Sequence, residues 1–424
     1  MTQILSTRLV MLAAAALLAA GSRALAEGGA SALALPGVRV AQAEAPPPPP
    51  PEAEPAEPDG TPPTAAGGGR HLQLPDISFI GLALGKLSSD PRDTDRNRIG
   101  LEEAEIGIQS YVYPHLRADA YLVAPGHGEF KVELEEGYLT HEQLPLRLSG
   151  RLGKFFVPFG RDNQKHPHSW LYVRRPLAWQ NLVSHESLTG NGLSLSWLAP
   201  TGRRLFLQVD AGTYSQAGHS HSHHHEEAEE HTLAARQEED NDHGILEGPG
   251  ANFSDKFYTA RAWSGLGLGR AGELELGGSW ARGTTEPLTL PGGGVANRSL
   301  VVTGVDLSYR RYGQGARRLL LRAEYLWHRY RPDVDGGTST GYYALANYRF
   351  SRYGDFGLLY DWSEIPEAAG QHESALSAIY THAVSEQSYA RLQLTQGARP
   401  GQGSYSEAWL QLVWGMGPHT HQLE

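Results

Sequence analysis

The residues best suited to bind a ligand are the histidines of one acidic stretch. They are His219, His221, His223, His224, His225, His231 and His243. Imidazoles at alternate and adjacent positions, with carboxylates beside them, coordinate borderline divalent ions such as zinc, copper or nickel. The segment 219–243 is therefore predicted to bind Zn²⁺ or another divalent metal, and a solvated polar loop without a ligand is the alternative. Nothing else in the sequence requires a cofactor.

A second group of candidate residues is basic and lies around a long connection between two predicted strands. Its members are Arg147, Arg151, Lys154, Arg174 and Arg175. The connection, 154–191, is too long for a simple turn. If the predicted strands close into a barrel, this connection could fold into the lumen and present guanidinium groups to a passing anion. The alternative is ordinary charge balance, in which these cations pair with Glu103, Glu105, Glu133 and Glu135, and the abundance of acids slightly favours it.

Two motifs that suggest an enzyme are rejected because their context is wrong. Gly337–Gly341 has the spacing of a nucleophile elbow, and Gly267–Gly272 has that of a dinucleotide fingerprint. Both motifs need a buried strand before them and a helix after them. Each instead joins two amphipathic strands, so we predict turns at these positions and no enzymatic activity.

The elements that must position these groups are strands. Apolar and polar residues alternate with a period of two, in pieces of about ten residues separated by polar turns. About 16 such pieces occur, near 76–85, 101–112, 114–123, 130–140, 146–156, 192–199, 204–213, 255–267, 271–282, 299–311, 317–330, 341–350, 353–363, 372–383, 387–397 and 404–416. This rhythm suits a transmembrane antiparallel barrel, whose strands need about 9–11 residues to cross the bilayer.

The N-terminal part has no such rhythm. Arg8, the apolar run Leu9–Ala20 and the small residues near Ala24–Ala26 form the pattern of a secretory signal peptide, predicted over 1–26. Residues 27–70 are rich in Pro, Ala and Gly and are predicted to be disordered. The remaining 71–424 would be the barrel, with 219–243 as an extracellular loop.

Composition limits the class of protein further. The chain has no cysteine, which excludes disulfide frameworks and thiol nucleophiles. Its net charge is −11, but the acids concentrate in 27–70 and 219–243, so the barrel is nearly neutral and a nucleic-acid partner is excluded. A soluble β-sandwich would have a core of Ile, Val and Phe. The apolar face here is instead rich in Leu, Ala and Gly, with aromatic residues near strand ends, as lipid-facing barrel surfaces are. The aromatic residues predicted to lie at the membrane interfaces include Tyr111, Tyr113, Tyr342, Tyr343, Tyr360, Trp362, Trp409 and Trp414.

Several stretches resemble a known family. Gly153–Arg161, followed by His166-Pro-His168 and Arg174–Leu177, is similar to the phosphate-selective porin O and P family. With the His-rich loop, the chain also resembles porin-like proteins often labelled zinc-regulated TonB-dependent receptors. The resemblance covers most of residues 75–200, and it implies a barrel of about 16 strands that passes small solutes.

The sequence therefore predicts an all-β outer-membrane porin-like channel for small hydrophilic solutes, with anions such as phosphate as candidates. Expected partners are outer-membrane lipid, small solutes or ions and the barrel-assembly machinery, and a homo-oligomer is compatible with the sequence. One rival hypothesis is a surface protein that binds or takes up divalent metal through 219–243 and uses the barrel as an anchor. Another is a soluble periplasmic or secreted β-protein.

Overall fold

The chain from residue 75 onward is built of antiparallel strands. In the computed structural model the described residues are 75–91, 93, 96–126, 131–202, 204–215, 253–285, 288–289, 295–296, 298–331, 337–366, 368, 370–401 and 403–418. The predicted signal peptide (1–26), the Pro-rich segment (27–70) and the His-rich loop (219–243) lie outside these residues. Within the described ranges, no helix is long and apolar enough to cross a membrane.

Sixteen strands form the wall of a closed antiparallel barrel. They are β1 (Asp76–Ser88), β2 (Arg98–Tyr113), β3 (Leu116–Pro125), β4 (Glu133–Leu144), β5 (Leu148–Phe156), β6 (Thr189–Leu198), β7 (Leu205–Ser215), β8 (Phe253–Gly267), β9 (Glu273–Thr285), β12 (Ser299–Tyr312), β13 (Arg318–Arg331), β14 (Thr338–Arg349), β15 (Gly354–Glu364), β16 (His372–Ala383), β17 (Tyr389–Arg399) and β18 (Gly403–Met416). Two short strands, β10 (Leu288–Thr289) and β11 (Val295–Ala296), pair with each other in the β9–β12 connection. Strand β1 pairs with β18 and closes the wall. The predicted all-β barrel is confirmed.

The alternation of residue types decides which face of the wall meets lipid. In β13, Leu319 and Leu321 point outward, whereas Arg322, Glu324 and His328 point inward and are buried. An apolar outer face matches the hydrocarbon of a bilayer, and a charged inner face is tolerated in a solvated lumen. The predicted orientation of the two faces therefore holds.

Aromatic side chains ring the outer surface near both ends of the strands. At the end with short connections, the outward-facing members include Tyr113, Tyr348 and Trp414, all of which are exposed. Near the other end, outward-facing rings pack side by side across β13, β14 and β15, and the Tyr342 and Trp362 centroids lie 5.5 Å apart. Such rings anchor a barrel at the two membrane interfaces.

Three aromatic residues that the sequence suggested for these rings face the lumen instead. Tyr343 follows the outward Tyr342 in a regular strand, so it must point inward, and it is 1% exposed. Trp409 lines a cavity inside the barrel. Tyr111 is the direct partner of Arg117 and donates to Glu142, on the lumen side of β2 and β3. The sequence-based assignment of these three side chains to the interface was wrong.

Connection lengths differ between the two ends of the barrel. The connections β2–β3, β4–β5 and β6–β7 are short, and they lie at one end. The opposite end carries the β5–β6 connection (157–188) and the β7–β8 connection (216–252). Outer-membrane barrels have long loops outside and short turns in the periplasm. By this rule, 157–188 and 216–252 both start from the extracellular end.

The β5–β6 connection folds back into the barrel, and we call residues 157–188 the plug segment. It contains a short helix, α1 (Leu177–Leu182), which contacts β13, β14, β15 and β16. Its aromatic residues Phe159, Trp170, Tyr172 and Trp179 are all buried. The long connection predicted at 154–191 is therefore a lumen segment in the structure.

Candidate functional site: the barrel lumen and its plug segment

One half of the plug segment is attached to the wall at β9 and β13. The Gly160 amide donates to Ser279 Oγ at 2.9 Å. Arg322 holds both carboxylate oxygens of Asp162 at 2.8 and 2.9 Å. Gly160 has φ of +60°, and a Cβ there would lie 2.4 Å from the Trp179 ring. Only glycine fits this turn without displacing the helix that follows.

The other half is attached to the opposite part of the wall. Arg174 Nη2 donates to both carboxylate oxygens of Asp361 at 3.1 and 3.2 Å. The Val173 amide donates to Gln393 Oε1 at 2.7 Å. Burial alone would lower the pKa of Arg174, but the Asp361 carboxylate raises it above its usual value. These contacts keep the plug segment charged, paired and fixed across the lumen.

A cavity remains between the plug segment and the wall formed by β1, β2 and β16–β18. Its volume is about 270 Å³. The basic residues that line it are Lys86, Arg98, Arg174, Arg175 and Arg399. The acidic residues that line it are Glu102, Glu103, Glu186, Glu373 and Glu407. Acidic and basic side chains are thus equally numerous, so the cavity suits polar and ionic solutes of either sign.

Arg175 is the most unusual of the basic groups. Its guanidinium lies between two indoles, 4.2 Å from the Trp179 ring centroid and 4.8 Å from that of Trp170. Nη2 donates to Asn163 Oδ1 at 3.4 Å, while Nε and Nη1 have no hydrogen-bond partner among the described residues. Burial lowers the pKa of Arg175. Arg175 therefore adds a positive charge to the cavity lining, although its Nε and Nη1 atoms are themselves buried.

The five basic residues predicted from sequence do not form one constriction. Arg147 is exposed in the short β4–β5 turn, with φ of +64°. Arg151 stacks on the Tyr138 ring at 4.4 Å, and Lys154 Nζ donates to the Leu134 carbonyl at 2.6 Å. Arg174 and Arg175 line the cavity. The structure therefore brings two of the five predicted residues together at one place.

The glutamates considered as partners for these cations make other contacts. Glu133 pairs with Lys131 at 3.0 Å. Glu105 and Glu135 each approach His166 Nδ1, at 2.9 and 3.0 Å. Burial alone would lower the pKa of His166, but the two carboxylates raise it well above its usual range. Sequence analysis did not identify this cluster, because its residues lie on two strands and the plug segment.

Comparison with known proteins agrees with the fold. No family model matches the sequence. A stretch of 116 residues is 31% identical to an uncharacterized protein of Aquifex aeolicus (strain VF5), covering 27% of this chain and 24% of that protein. The chain thus spans about a quarter of the length of the curated relative it matches.

Among solved structures, OprB of Pseudomonas putida at high pH is similar over 81% of this chain and 94% of its own, with a TM-score of 0.53 and 11% identity. A loop L8 deletion mutant of OmpT, an outer membrane protein of Vibrio cholerae, is similar over 81% of this chain and 100% of its own, with a TM-score of 0.50 and 11% identity. The chain has the fold of an outer-membrane porin-type barrel. With its apolar exterior and aromatic rings, this fold belongs in the bacterial outer membrane.

Proposed function

We propose that the protein is a channel, not an enzyme, that passes small hydrophilic solutes across the bacterial outer membrane. The observation that carries this proposal is the charge-lined cavity of about 270 Å³ beside the plug segment, inside a closed wall. A charged cavity of this size suits ions and small polar molecules.

The experiment that tests the channel compares the full chain with a variant that lacks the plug segment. Phe156 and Thr189 are direct partners in the β5–β6 register, so a short Gly-Ser turn can replace 157–188 without stretching the wall. In planar lipid bilayers, the full chain is expected to show small, stable conductance steps, and the variant severalfold larger ones. Folding of both is checked by heat-dependent migration on a gel. If the variant conducts and the full chain passes no current, the plug segment seals the barrel and the channel proposal fails.

A preference for anions such as phosphate is a finer proposal, and Arg175 is the observation that favours it. It lines the cavity, its hydrogen-bond partner Asn163 is neutral, and the Trp170 and Trp179 rings lie against its guanidinium group. Guanidinium groups bind phosphate and carboxylate through paired N–H donors. Because the acidic side chains of the cavity oppose this effect, we expect the preference to be modest. A reversal potential measured in a salt gradient gives its sign.

A further inference from the structure

Six titratable side chains meet at one place in the lumen, next to the cavity that Arg175 lines. We call Glu103, Glu105, Glu135, Glu136, His166 and His168 the His–Glu cluster. The glutamates come from β2 and β4, and the histidines come from the plug segment. His166, His168, Glu105 and Glu136 are all buried. The channel proposed above does not require this arrangement.

A β-bulge brings adjacent glutamates of β4 to the same face. In the β3–β4 register Tyr121 pairs with Glu136 and Leu122 pairs with Leu134, so Glu135 is an extra residue. In a regular strand, Glu135 and Glu136 would point to opposite faces, and one would meet lipid. Here both reach His166, with oxygen-to-nitrogen distances of 3.0 Å for each. Irregular pairing thus concentrates carboxylates on one imidazole.

The donor atoms have the spacing of metal ligands. One triad consists of Glu105, Glu135 and His166, and each residue has a donor atom within 4.8 Å of the donor atoms of the other two. A second triad, with donor atoms equally close together, consists of Glu103, Glu105 and His168. Glu105 belongs to both triads, and its Oε2 lies 2.9 Å from His166 Nδ1 and 3.8 Å from His168 Nδ1. Ligands at about 2.0–2.2 Å from a tetrahedral zinc are about 3.3–3.6 Å apart. The distances from His166 Nδ1 to Glu105 and Glu135, 2.9 and 3.0 Å, are a few tenths of an ångström shorter than this spacing.

The second nitrogen of His166 is held as metal-binding imidazoles usually are. Nε2 lies 3.0 Å from Glu136 Oε2, and Glu136 Oε1 accepts the Phe156 amide proton at 2.7 Å. A carboxylate that accepts from one ring nitrogen orients the other toward the metal and increases its basicity. Tyr121 and Phe156 pack against the imidazole, with centroids 5.0 and 4.9 Å from it. His166 is thus positioned before any ion arrives.

We propose that the His–Glu cluster binds one divalent cation of the zinc class through His166 Nδ1 and the carboxylates of Glu105 and Glu135. Imidazole with carboxylate is a donor set suited to zinc and its neighbours in the first transition series. The bound ion takes the place of the proton on His166 Nδ1 and joins the plug segment to β2 and β4. This site is separate from the His-rich loop 219–243.

Zinc-edge anomalous diffraction from crystals of the full chain, soaked in zinc chloride, tests the proposal directly. Because the signal is located in space, binding by 219–243 does not interfere. The expected result is one anomalous peak between Glu105, Glu135 and His166. Absence of a peak there at saturating zinc, with the surrounding side chains ordered, overturns the proposal and leaves the cluster as a set of ion pairs.

Affinity measurements by competition with a zinc chelator provide a second test. They use the full chain and a variant without 219–243, in parallel. The Glu136→Gln variant keeps the shape of the side chain but weakens its hydrogen bond to His166 Nε2. We therefore expect the His–Glu cluster of this variant to bind zinc about 10–100-fold more weakly. The Glu105→Gln variant should lose more, because both triads share this residue.

The matched control is His328→Gln, which alters a buried lumen-facing histidine of β13 outside the cluster. It should bind zinc as the parent does. If the Glu105→Gln and His328→Gln variants bind zinc equally tightly, the high-affinity zinc site lies outside the His–Glu cluster and the proposal is wrong.

Discussion

Removing the charge of Arg175 is the most direct test of how the cavity affects ion selectivity. Replacing Arg175 with glutamine removes one positive charge from a lining in which acids and bases are balanced, so the cavity becomes net negative. We expect the Arg175→Gln channel to shift its reversal potential in a KCl gradient toward the cation value. The cause is the lost charge and not a lost ion pair, because Asn163 is a neutral partner.

The control for this prediction is Arg270→Gln, which removes the same charge from the exposed β8–β9 turn. Its reversal potential should equal that of the parent. Equal shifts in both variants would mean that total charge, and not the cavity, sets the selectivity.

At the scale of single residues, sequence analysis located Arg174 and Arg175 but not the His–Glu cluster. The two arginines could be predicted because they lie in a connection too long for a turn. The cluster depends on the β4 bulge, and a regular alternation of faces would place Glu135 and Glu136 on opposite sides. His166 and His168 were noticed only as part of the family resemblance.

At the scale of the strands, the seam between β1 and β18 depends on close packing of glycine under an aromatic ring. Gly81 is the direct partner of Trp414, and a Cβ on Gly81 would lie 2.2 Å from the indole. We expect Gly81→Val to displace Trp414 and to lower stability by about 1–3 kcal/mol, the usual cost of overpacking. The temperature at which the folded gel band disappears measures this effect.

Gly278→Val is the matched control, because a Cβ at this position of β9 meets nothing within 4 Å. It should melt at or slightly above the temperature of the parent, since valine favours a strand. If the Gly81→Val and Gly278→Val proteins lose the folded gel band at the same temperature, the seam tolerates the added side chain.

The wall strands were largely predictable, since lipid outside and water inside impose a strict period of two. The sixteen predicted pieces match the sixteen wall strands to within a few residues, and the predicted seventh piece corresponds to β7 (Leu205–Ser215). The short pair β10–β11 was not predicted, because two-residue strands leave no periodic pattern. The path of the plug segment was also not predictable, since its partners are distant in sequence.

At the scale of the whole molecule, the His-rich loop should act as a separate zinc-binding unit. It connects β7 to β8 at the long-loop end, so deleting 219–243 cuts no strand. We expect the deletion to abolish high-capacity zinc binding and to leave folding and conductance unchanged. Binding by the parent should weaken as the pH falls through roughly 6.5, where protons compete for imidazole. A deletion variant that binds as much zinc as the parent would contradict this role.

The attachment points of the plug segment also impose an order on folding. The segment is synthesised before β13, β15 and β17, yet Asp162 is held by Arg322, Arg174 by Asp361, and the Val173 amide by Gln393. The last of these contacts joins residues 220 positions apart. Closing so long a loop is favourable only once the later strands have fixed its other end. The plug segment can therefore reach its final position only after β17 is in place, at the stage when β18 pairs with β1 and closes the wall.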